Sequence, residues 1–168
     1  WGYVLKHDIV SNGNPLFRHK FTDDPSVLVK GDTLWLFAGE DFEGNQRGYH
    51  MENWLVFSTT DMKHWTEYPA PLRAADFKWA SRNAYAGHVT ERNGKYYWYV
   101  STNTTGIGVA VADRPEGPYK DAIGKPLLTN NDCFASKHSW ACIDPAVFID
   151  DDGQAYLFWG NTQCYYVK

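Results

Sequence analysis

The chain has 168 residues, which suits one ordinary domain, and a formal net charge of −4 at pH 7. That balance argues against a nucleic-acid-binding protein, which normally has a basic face. A mean hydropathy of −0.51 and a charged fraction of 21% argue against both a membrane protein and a disordered chain. Aromatic residues make up 17% of the sequence, and this is its most informative feature.

The first predicted element is a β-hairpin in residues 24–39, DPSVLVKGDTLWLFAG, where β-branched and aromatic residues flank a tight glycine turn. A short strand, LVFS, follows at residues 55–58. A second hairpin, GHVTERNGKYYWYVS, occupies residues 87–101, and the strand GVAV lies at residues 108–111. The third hairpin, DPAVFIDDDGQAYLFWG, spans residues 144–160 and repeats the first from its Asp-Pro to its last glycine. No stretch has the 3.6-residue period of an amphipathic helix, so an all-β fold is predicted.

The hairpins form an internal repeat. Their turn glycines, Gly31, Gly94 and Gly153, are separated by 63 and 59 residues. Such repeated antiparallel units are typical of a β-propeller; a sandwich or a duplicated meander is the alternative. A propeller needs about four to eight blades to close, and 168 residues hold just under three such units. We therefore expect an incomplete propeller with exposed apolar blade edges, unless a partner covers them.

Two aspartates, Asp24 and Asp144, occupy equivalent places, each before a proline at the head of the innermost strand of its repeat. That end of a propeller strand points toward the central axis, so both carboxylates can face one pocket. The following proline predicts an extended conformation for each aspartate. Paired carboxylates are the usual acid and base groups for glycosidic bonds, whereas a turn or N-cap role is the alternative. The neighbouring Asp23 is expected on the opposite side of the strand, toward solvent or a turn.

These segments together resemble glycoside hydrolase family 43, five-bladed propeller enzymes that act on arabinoxylan, xylan and arabinan side chains. The matching text is FTDDPSVLVKGDTLWLFAGEDF, NWLVFSTTDMKHW, FKWASRNAYAGHVTERNGKYYWYVS, GIGVAVADRPEGPYKDAIGKPLL and IDPAVFIDDDGQAYLFWGN. The chain most resembles the members labelled arabinoxylan arabinofuranohydrolase or endo-xylanase D. The resemblance implies that residues 1–168 are the N-terminal portion of a five-bladed β-propeller catalytic domain, with about three blades present.

The resemblance also implies an inverting hydrolase, with Asp24 as the general base and Asp144 as the aspartate that modulates the pKa of the acid. In the family, the general-acid glutamate lies in the blade after the second Asp-Pro repeat. None of the glutamates of this chain lies in a matching motif, so we expect the acid to be supplied from outside it. The expected activity is that of an α-L-arabinofuranosidase on arabinoxylan or xylan-type hemicellulose, with β-xylosidase next. A non-catalytic carbohydrate-binding or assembly module is the alternative from another class, and a protein-binding propeller ranks lower.

Five aromatic or histidine side chains are candidates for contact with the sugar, because aromatic faces stack on sugar C–H surfaces. They are Phe42, Trp79, Tyr85, His88 and Trp140. For each of them, packing within or between blades is the competing interpretation. A satisfied core position is the alternative for His88, which could also bind a central ion.

The remaining expectations concern ligands, partners and location. No cofactor is required, although the resemblance keeps a structural calcium ion possible; the run Asp150-Asp151-Asp152-Gly153 lacks the EF-hand spacing and predicts a hairpin turn. The expected partners are a plant polysaccharide and a second polypeptide or second copy that covers the blade edges, with no nucleic acid or membrane. Secretion is expected from the polymeric substrate and from a chain that begins at Trp1 without methionine. The three cysteines are expected to be packing residues, with at most one disulfide: Cys133, Cys142 and Cys164.

Overall fold

The computed structural model describes residues 6–42, 44, 50–102 and 106–168, so Trp1 lies outside the described residues. Within these ranges the regular structure is thirteen β-strands and two single-turn 3₁₀ helices, Ala74–Asp76 and Asn130–Asp132. The prediction of an all-β chain is therefore confirmed. In the described part of the chain, no helix is long and apolar enough to cross a membrane.

The strands form three antiparallel sheets, each built from consecutive segments of the chain. Sheet 1 has the order β1-β5-β4-β3-β2, with β1 His7–Val10, β2 Phe21–Lys30, β3 Thr33–Asp41, β4 Asn53–Thr59 and β5 His64–Arg73. Sheet 2 has the order β10-β8-β7-β6, with β9 also paired to β8; its strands are β6 Gly87–Arg92, β7 Lys95–Thr102, β8 Gly106–Ala112, β9 Lys120–Asp121 and β10 Leu128–Thr129. Sheet 3 has the order β11-β12-β13, with β11 Ala146–Ile149, β12 Ala155–Trp159 and β13 Tyr165–Val167.

The three predicted hairpins are β2-β3, β6-β7 and β11-β12. In the second, Arg92 pairs with Lys95, which leaves Asn93-Gly94 as a two-residue turn with both φ values positive, at 55° and 76°. That conformation is the one that favours Asn-Gly in tight hairpins. In the third hairpin the acidic run forms the turn itself, since Gly153 N–H donates to the Asp150 carbonyl at 2.8 Å.

The first strands of the three hairpins are β2, β6 and β11, and they are the inner strands of the three sheets. These inner strands lie next to one another. Strand β6 contacts β2 on one side and β11 on the other. His88 joins sheets 2 and 3 directly, because its Nδ1 accepts a hydrogen bond of 2.7 Å from the Val147 N–H. The sheets are thus arranged side by side around their inner strands, as blades are in a propeller.

Most of the aromatic side chains pack within and between the sheets, as predicted. Phe37 and Trp54 of sheet 1 share a buried cluster with Trp98 of sheet 2. A separate cluster between sheets 2 and 3 contains Ile107 and Trp159. Burial of these large aromatic surfaces is a major stabilising contribution to the three sheets.

The cysteines are all free. Cys133 and Cys142 are buried in the cluster between sheets 2 and 3, where the Trp159 indole N–H donates to Cys133 Sγ at 3.3 Å. Burial and the neighbouring Cys133 raise the pKa of Cys142 to about 12, so its thiol is unreactive near neutral pH. Cys164 is exposed, so the expectation that all three are packing residues is wrong for this one.

One face of sheet 3 leaves apolar side chains uncovered. Phe148, Tyr156, Phe158 and Tyr166 form a ladder of roughly parallel rings, with centroids 6.0–6.5 Å apart. Phe148 is 54% exposed and Tyr166 is 62% exposed. The alternating residues Leu157 and Trp159 are buried against sheet 2 instead. Exposed apolar blade edges were expected of an incomplete propeller; the exposed ladder lies on a face of sheet 3 instead.

Candidate active site

Strand β2 and the segments that precede β4, β6 and β11 line one cavity of about 570 Å³. Its lining residues are Asp23, Asp24, Met51, Tyr85, Trp140, Ile143 and Asp144. Both Asp-Pro aspartates of the sequence repeat are therefore in the same cavity, together with two of the five predicted sugar-contacting residues. The lining combines carboxylates with apolar and aromatic surface, the composition expected of a small-molecule site.

The backbone of both repeat aspartates differs from the sequence prediction. Asp24 has φ +43° and Asp144 has φ +59°, so neither is in the extended conformation that the following proline favours. The pairing of β2 with β3 shifts register between Asp23 and Ser26, which marks a β-bulge. Asp24, with its left-handed backbone conformation, lies within this bulge. Left-handed non-glycine residues are uncommon and concentrate at functional sites.

The same bulge explains why the expectation for Asp23 is wrong. Strict strand alternation would turn Asp23 away from Asp24, but the bulge interrupts the two-residue period, and both side chains line the cavity. Asp23 Oδ1 is buried beside the backbone of Gly39, where it meets no hydrogen-bond partner among the described residues. A side chain at Gly39 would overlap this oxygen and Met51 Cε, so both of these side chains would have to shift to accommodate it.

Asp23 has a strongly perturbed carboxyl group. Burial, followed by the negative charges of Asp24 and Asp41, raises the pKa of Asp23 from its ordinary value of 3.8 to about 6. The cavity thus has a third carboxyl group that takes up a proton at mildly acidic pH.

Asp144 is held where sheets 2 and 3 meet. Its backbone N–H donates to the hydroxyl of the buried Ser101 at 2.8 Å, and Ser101 in turn forms backbone hydrogen bonds with Tyr85 and Ala86. Partial burial and the charge of Asp24 both raise the pKa of Asp144. The two repeats place these aspartates on the same cavity, where their negative charges repel each other.

The aromatic lining residues are anchored by neighbouring segments. The Tyr85 carbonyl accepts a 2.7 Å hydrogen bond from the indole of Trp54 in β4, and its N–H donates to the Ser101 carbonyl at 3.0 Å. Trp140 is 54% exposed and lies against the His138 ring, with centroids 4.4 Å apart. Exposed aromatic surface beside carboxylates can stack on a sugar ring.

The other three predicted sugar contacts lie outside the cavity lining. Phe42 directly follows β3, and its side chain is 47% exposed. Trp79 packs against Phe77 and Gly108. His88 receives the hydrogen bond from β11, and burial lowers its pKa, which keeps the imidazole neutral and able to accept. For all three, contact with a sugar stays a prediction.

Comparison with known proteins identifies the family. The model of glycosyl hydrolases family 43 matches residues 13–166. The chain belongs to this family. Its three sheets are consecutive blades of the five-bladed β-propeller type, so the fold predicted from the repeat is confirmed.

Among its relatives, this family 43 chain is 36% identical to an arabinoxylan arabinofuranohydrolase of Bacillus subtilis, over 94% of the chain but 34% of that protein. It is 33% identical to xylosidase/arabinosidase 43A of Humicola insolens, over 90% of the chain and 48% of the relative. The solved structure of an α-L-arabinofuranosidase from Clostridium thermocellum superposes with a TM-score of 0.76 at 34% identity, covering 91% of the chain and 53% of that structure. The chain therefore spans between about a third and a half of the length of these family 43 proteins.

Proposed function

We propose that this family 43 chain carries the general base and the pKa-modulating aspartate of an inverting glycosidase that acts on arabinoxylan or xylan, most specifically an α-L-arabinofuranosidase. The supporting observation is that Asp24 and Asp144, the equivalent aspartates of two repeats, line one cavity. The relatives named arabinoxylan arabinofuranohydrolase and α-L-arabinofuranosidase support the choice of substrate. The relative named xylosidase/arabinosidase makes β-xylosidase the second candidate.

In this proposal, the Asp24 carboxylate takes a proton from the water that attacks the anomeric carbon. Asp144, on the same cavity, modulates the pKa of the general acid. Tyr85 and Trp140 present apolar surface to the sugar. An inverting reaction also needs an acid about 6.5–9.5 Å from the base to protonate the departing oxygen. We propose that this glutamate belongs to a blade outside the chain.

The uncovered ladder on sheet 3 supports a further blade. Its aromatic side chains alternate with the residues that pack on sheet 2, so the two faces of sheet 3 are both apolar. A sheet that is apolar on both faces is suited to a position between two neighbours. We propose a fourth blade as the element that covers this ladder, whether it comes from a second polypeptide or from a longer form of this one.

Polymeric hemicellulose does not enter cells, so we propose that the enzyme is secreted, either outside the cell or into a periplasm. The hydrolysis itself needs no cofactor, since carboxyl groups supply both proton transfers. A structural calcium ion in the complete propeller is compatible with this chemistry.

Hydrolysis of 4-nitrophenyl α-L-arabinofuranoside and 4-nitrophenyl β-D-xyloside tests the function. We expect slow turnover by the chain, faster with the arabinofuranoside, and loss of at least about 10²-fold in Asp24→Asn, the ordinary value of general-base assistance. Asp151→Asn, an exposed residue of the third hairpin turn, is the matched control and should be unchanged. Saturable binding of arabinoxylan oligosaccharides without Asp24-dependent turnover would favour the carbohydrate-binding module instead.

A further inference from the structure

We propose that His7, His19 and Glu67 form a zinc site on sheet 1, separate from the catalytic cavity. One potential ligand atom from each residue lies within 4.8 Å of the other two. None of the three residues lines the cavity that holds Asp24 and Asp144. Two imidazoles and one carboxylate are a common protein ligand set for zinc, with water as a fourth ligand.

The three residues come from different segments that the fold brings together. His7 in β1 is paired directly with Glu67 in β5. His19 lies in the segment between β1 and β2, and its ring meets that of His7 edge to face, with centroids 5.3 Å apart. The cluster therefore depends on strand register and on the path of the chain into β2, and it does not follow from a short sequence motif.

The three candidate ligand atoms, which lie within 4.8 Å of one another, would shift to accept an ion. His7 Nδ1 is 3.5 Å from Glu67 Oε2, and His19 Nε2 is 2.7 Å from the same oxygen. Zinc bonds of about 2.0–2.2 Å in tetrahedral geometry place neighbouring ligand atoms roughly 3.3–3.5 Å apart. The His7 distance already has this value, while His19 would move outward by about 0.7 Å as zinc replaces the shared proton.

Glu67 would bind zinc through one oxygen, Oε2, because its other oxygen is paired with a lysine. Its side chain is 9% exposed, and Lys20 Nζ holds its other oxygen, Oε1, at 3.0 Å. Glu40, 2.8 Å from Lys20 Nζ, offsets the positive charge of the lysine beside the site.

The site also has access to solvent. His7 and His19 line a surface cavity of about 430 Å³, which leaves room for a water ligand. Imidazole nitrogens favour zinc, copper and nickel over calcium and magnesium, which prefer oxygen ligands. A bound zinc ion would fasten β1 and the segment before β2 to β5, and so stabilise the strand that carries Asp23 and Asp24.

Calorimetric titration of the 168-residue chain with ZnCl₂ alone tests this site, in a Cys164→Ser background because that exposed thiol could bind zinc by itself. We expect one ion per chain and a rise in melting temperature with ZnCl₂ but not with CaCl₂. His7→Gln and His19→Gln should each weaken binding at least about tenfold. The matched control is His64→Gln, since exposed His64 pairs with Asp61 alone among the ion pairs of the described residues and should bind zinc no differently.

X-ray absorption of the zinc-loaded chain provides a second test that needs no variant. We expect first-shell nitrogen and oxygen at about 2.0–2.2 Å with the multiple-scattering signature of two imidazoles. Absence of saturable zinc binding below 100 μM would overturn the proposal, as would binding that His7→Gln and His19→Gln leave unchanged. A His7→Gln or His19→Gln chain that no longer folds without zinc would leave the absorption spectrum as the deciding measurement.

Discussion

The carboxyl groups of Asp23 and Asp24 share one cavity because of a single left-handed residue at a β-bulge. Asp24 has φ +43°, and the register of β2 against β3 shifts between Asp23 and Ser26. Two consecutive side chains that would otherwise face opposite sides of the strand therefore meet the same space. The result is an acidic cavity in which the charge of Asp24 contributes to the raised pKa of both Asp23 and Asp144.

Asp23 should destabilise the folded chain near neutral pH. Its pKa is about 6 in the folded chain against an ordinary 3.8, so between those values the folded state holds more protons than the unfolded state. The free energy of unfolding therefore falls as pH rises through this range. Above pH 6, where Asp23 is ionised in the folded chain, the destabilisation reaches its full value. We expect Asp23→Asn to be more stable than the parent by about 1 kcal/mol at pH 7.5, after allowance for solvent screening, with no difference near pH 3.5.

Urea unfolding of both proteins at several pH values measures this difference. The exposed Asp151→Asn serves as the control and should follow the parent chain at every pH. A stability difference between Asp23→Asn and the parent that does not depend on pH would contradict the assigned protonation of Asp23.

At the scale of the strands, sheet 3 is distinguished by an exposed apolar face. Along β12, Leu157 and Trp159 face the cluster shared with sheet 2, and the intervening Phe158 joins the uncovered ladder. Cross-strand neighbours continue the same pattern, since Phe158 is paired with Ala146 on one side and with Tyr166 on the other. An exposed row of aromatic residues beside a free strand edge favours self-association.

Replacement of Phe148 and Phe158 by serine in one double variant should reduce self-association without unfolding the chain. Both rings lie on the uncovered face, at 54% and 36% exposure, so less buried area is lost than at a fully packed position. By contrast, Leu157→Ala removes a residue from the packed face and should cost about 2–3 kcal/mol. Light scattering and urea unfolding together distinguish the two effects; a parent chain that stays monomeric at high concentration would contradict the role given to the ladder.

The sequence predicted the strands more successfully than the detailed geometry of the site. Period-two patterns and turn glycines identify β2-β3, β6-β7 and β11-β12, because hairpins are determined by local residues. The shared cavity of Asp24 and Asp144 was predictable from the repeat, since equivalent positions in the blades of a propeller lie near the same axis. The bulge that redirects Asp23 was not, because proline at position 25 favours the opposite conformation for its predecessor.

Long-range contacts explain the other differences. Met51 and Ile143 line the cavity without a polar group or motif that would indicate such a role. The Ser101 hydroxyl that holds Asp144 belongs to a strand residue 43 positions away in the sequence. Likewise, His7, His19 and Glu67 come from separate segments, which the pairing of β1 with β5 and the path of the chain into β2 bring together.

At the scale of the whole molecule, the described residues form three blades. The matched part covers 34–53% of the family 43 proteins described above. In our proposal the chain contributes two aspartates to the site, and the proton donor for the leaving group comes from elsewhere. Dependence of the rate on the leaving group therefore tests the account most directly, because a substrate with a very acidic leaving group needs no proton donor.

The decisive measurement compares hydrolysis of 2,4-dinitrophenyl and 4-nitrophenyl glycosides of the same sugar by the chain alone. We expect turnover of the dinitrophenyl substrate that depends on Asp24, and a rate lower by about 10²-fold or more for the nitrophenyl substrate, which gains from acid assistance. Asp24→Asn should abolish the faster reaction. Equal, Asp24-dependent rates with both leaving groups would contradict the proposal, because they would require a general acid within these 168 residues.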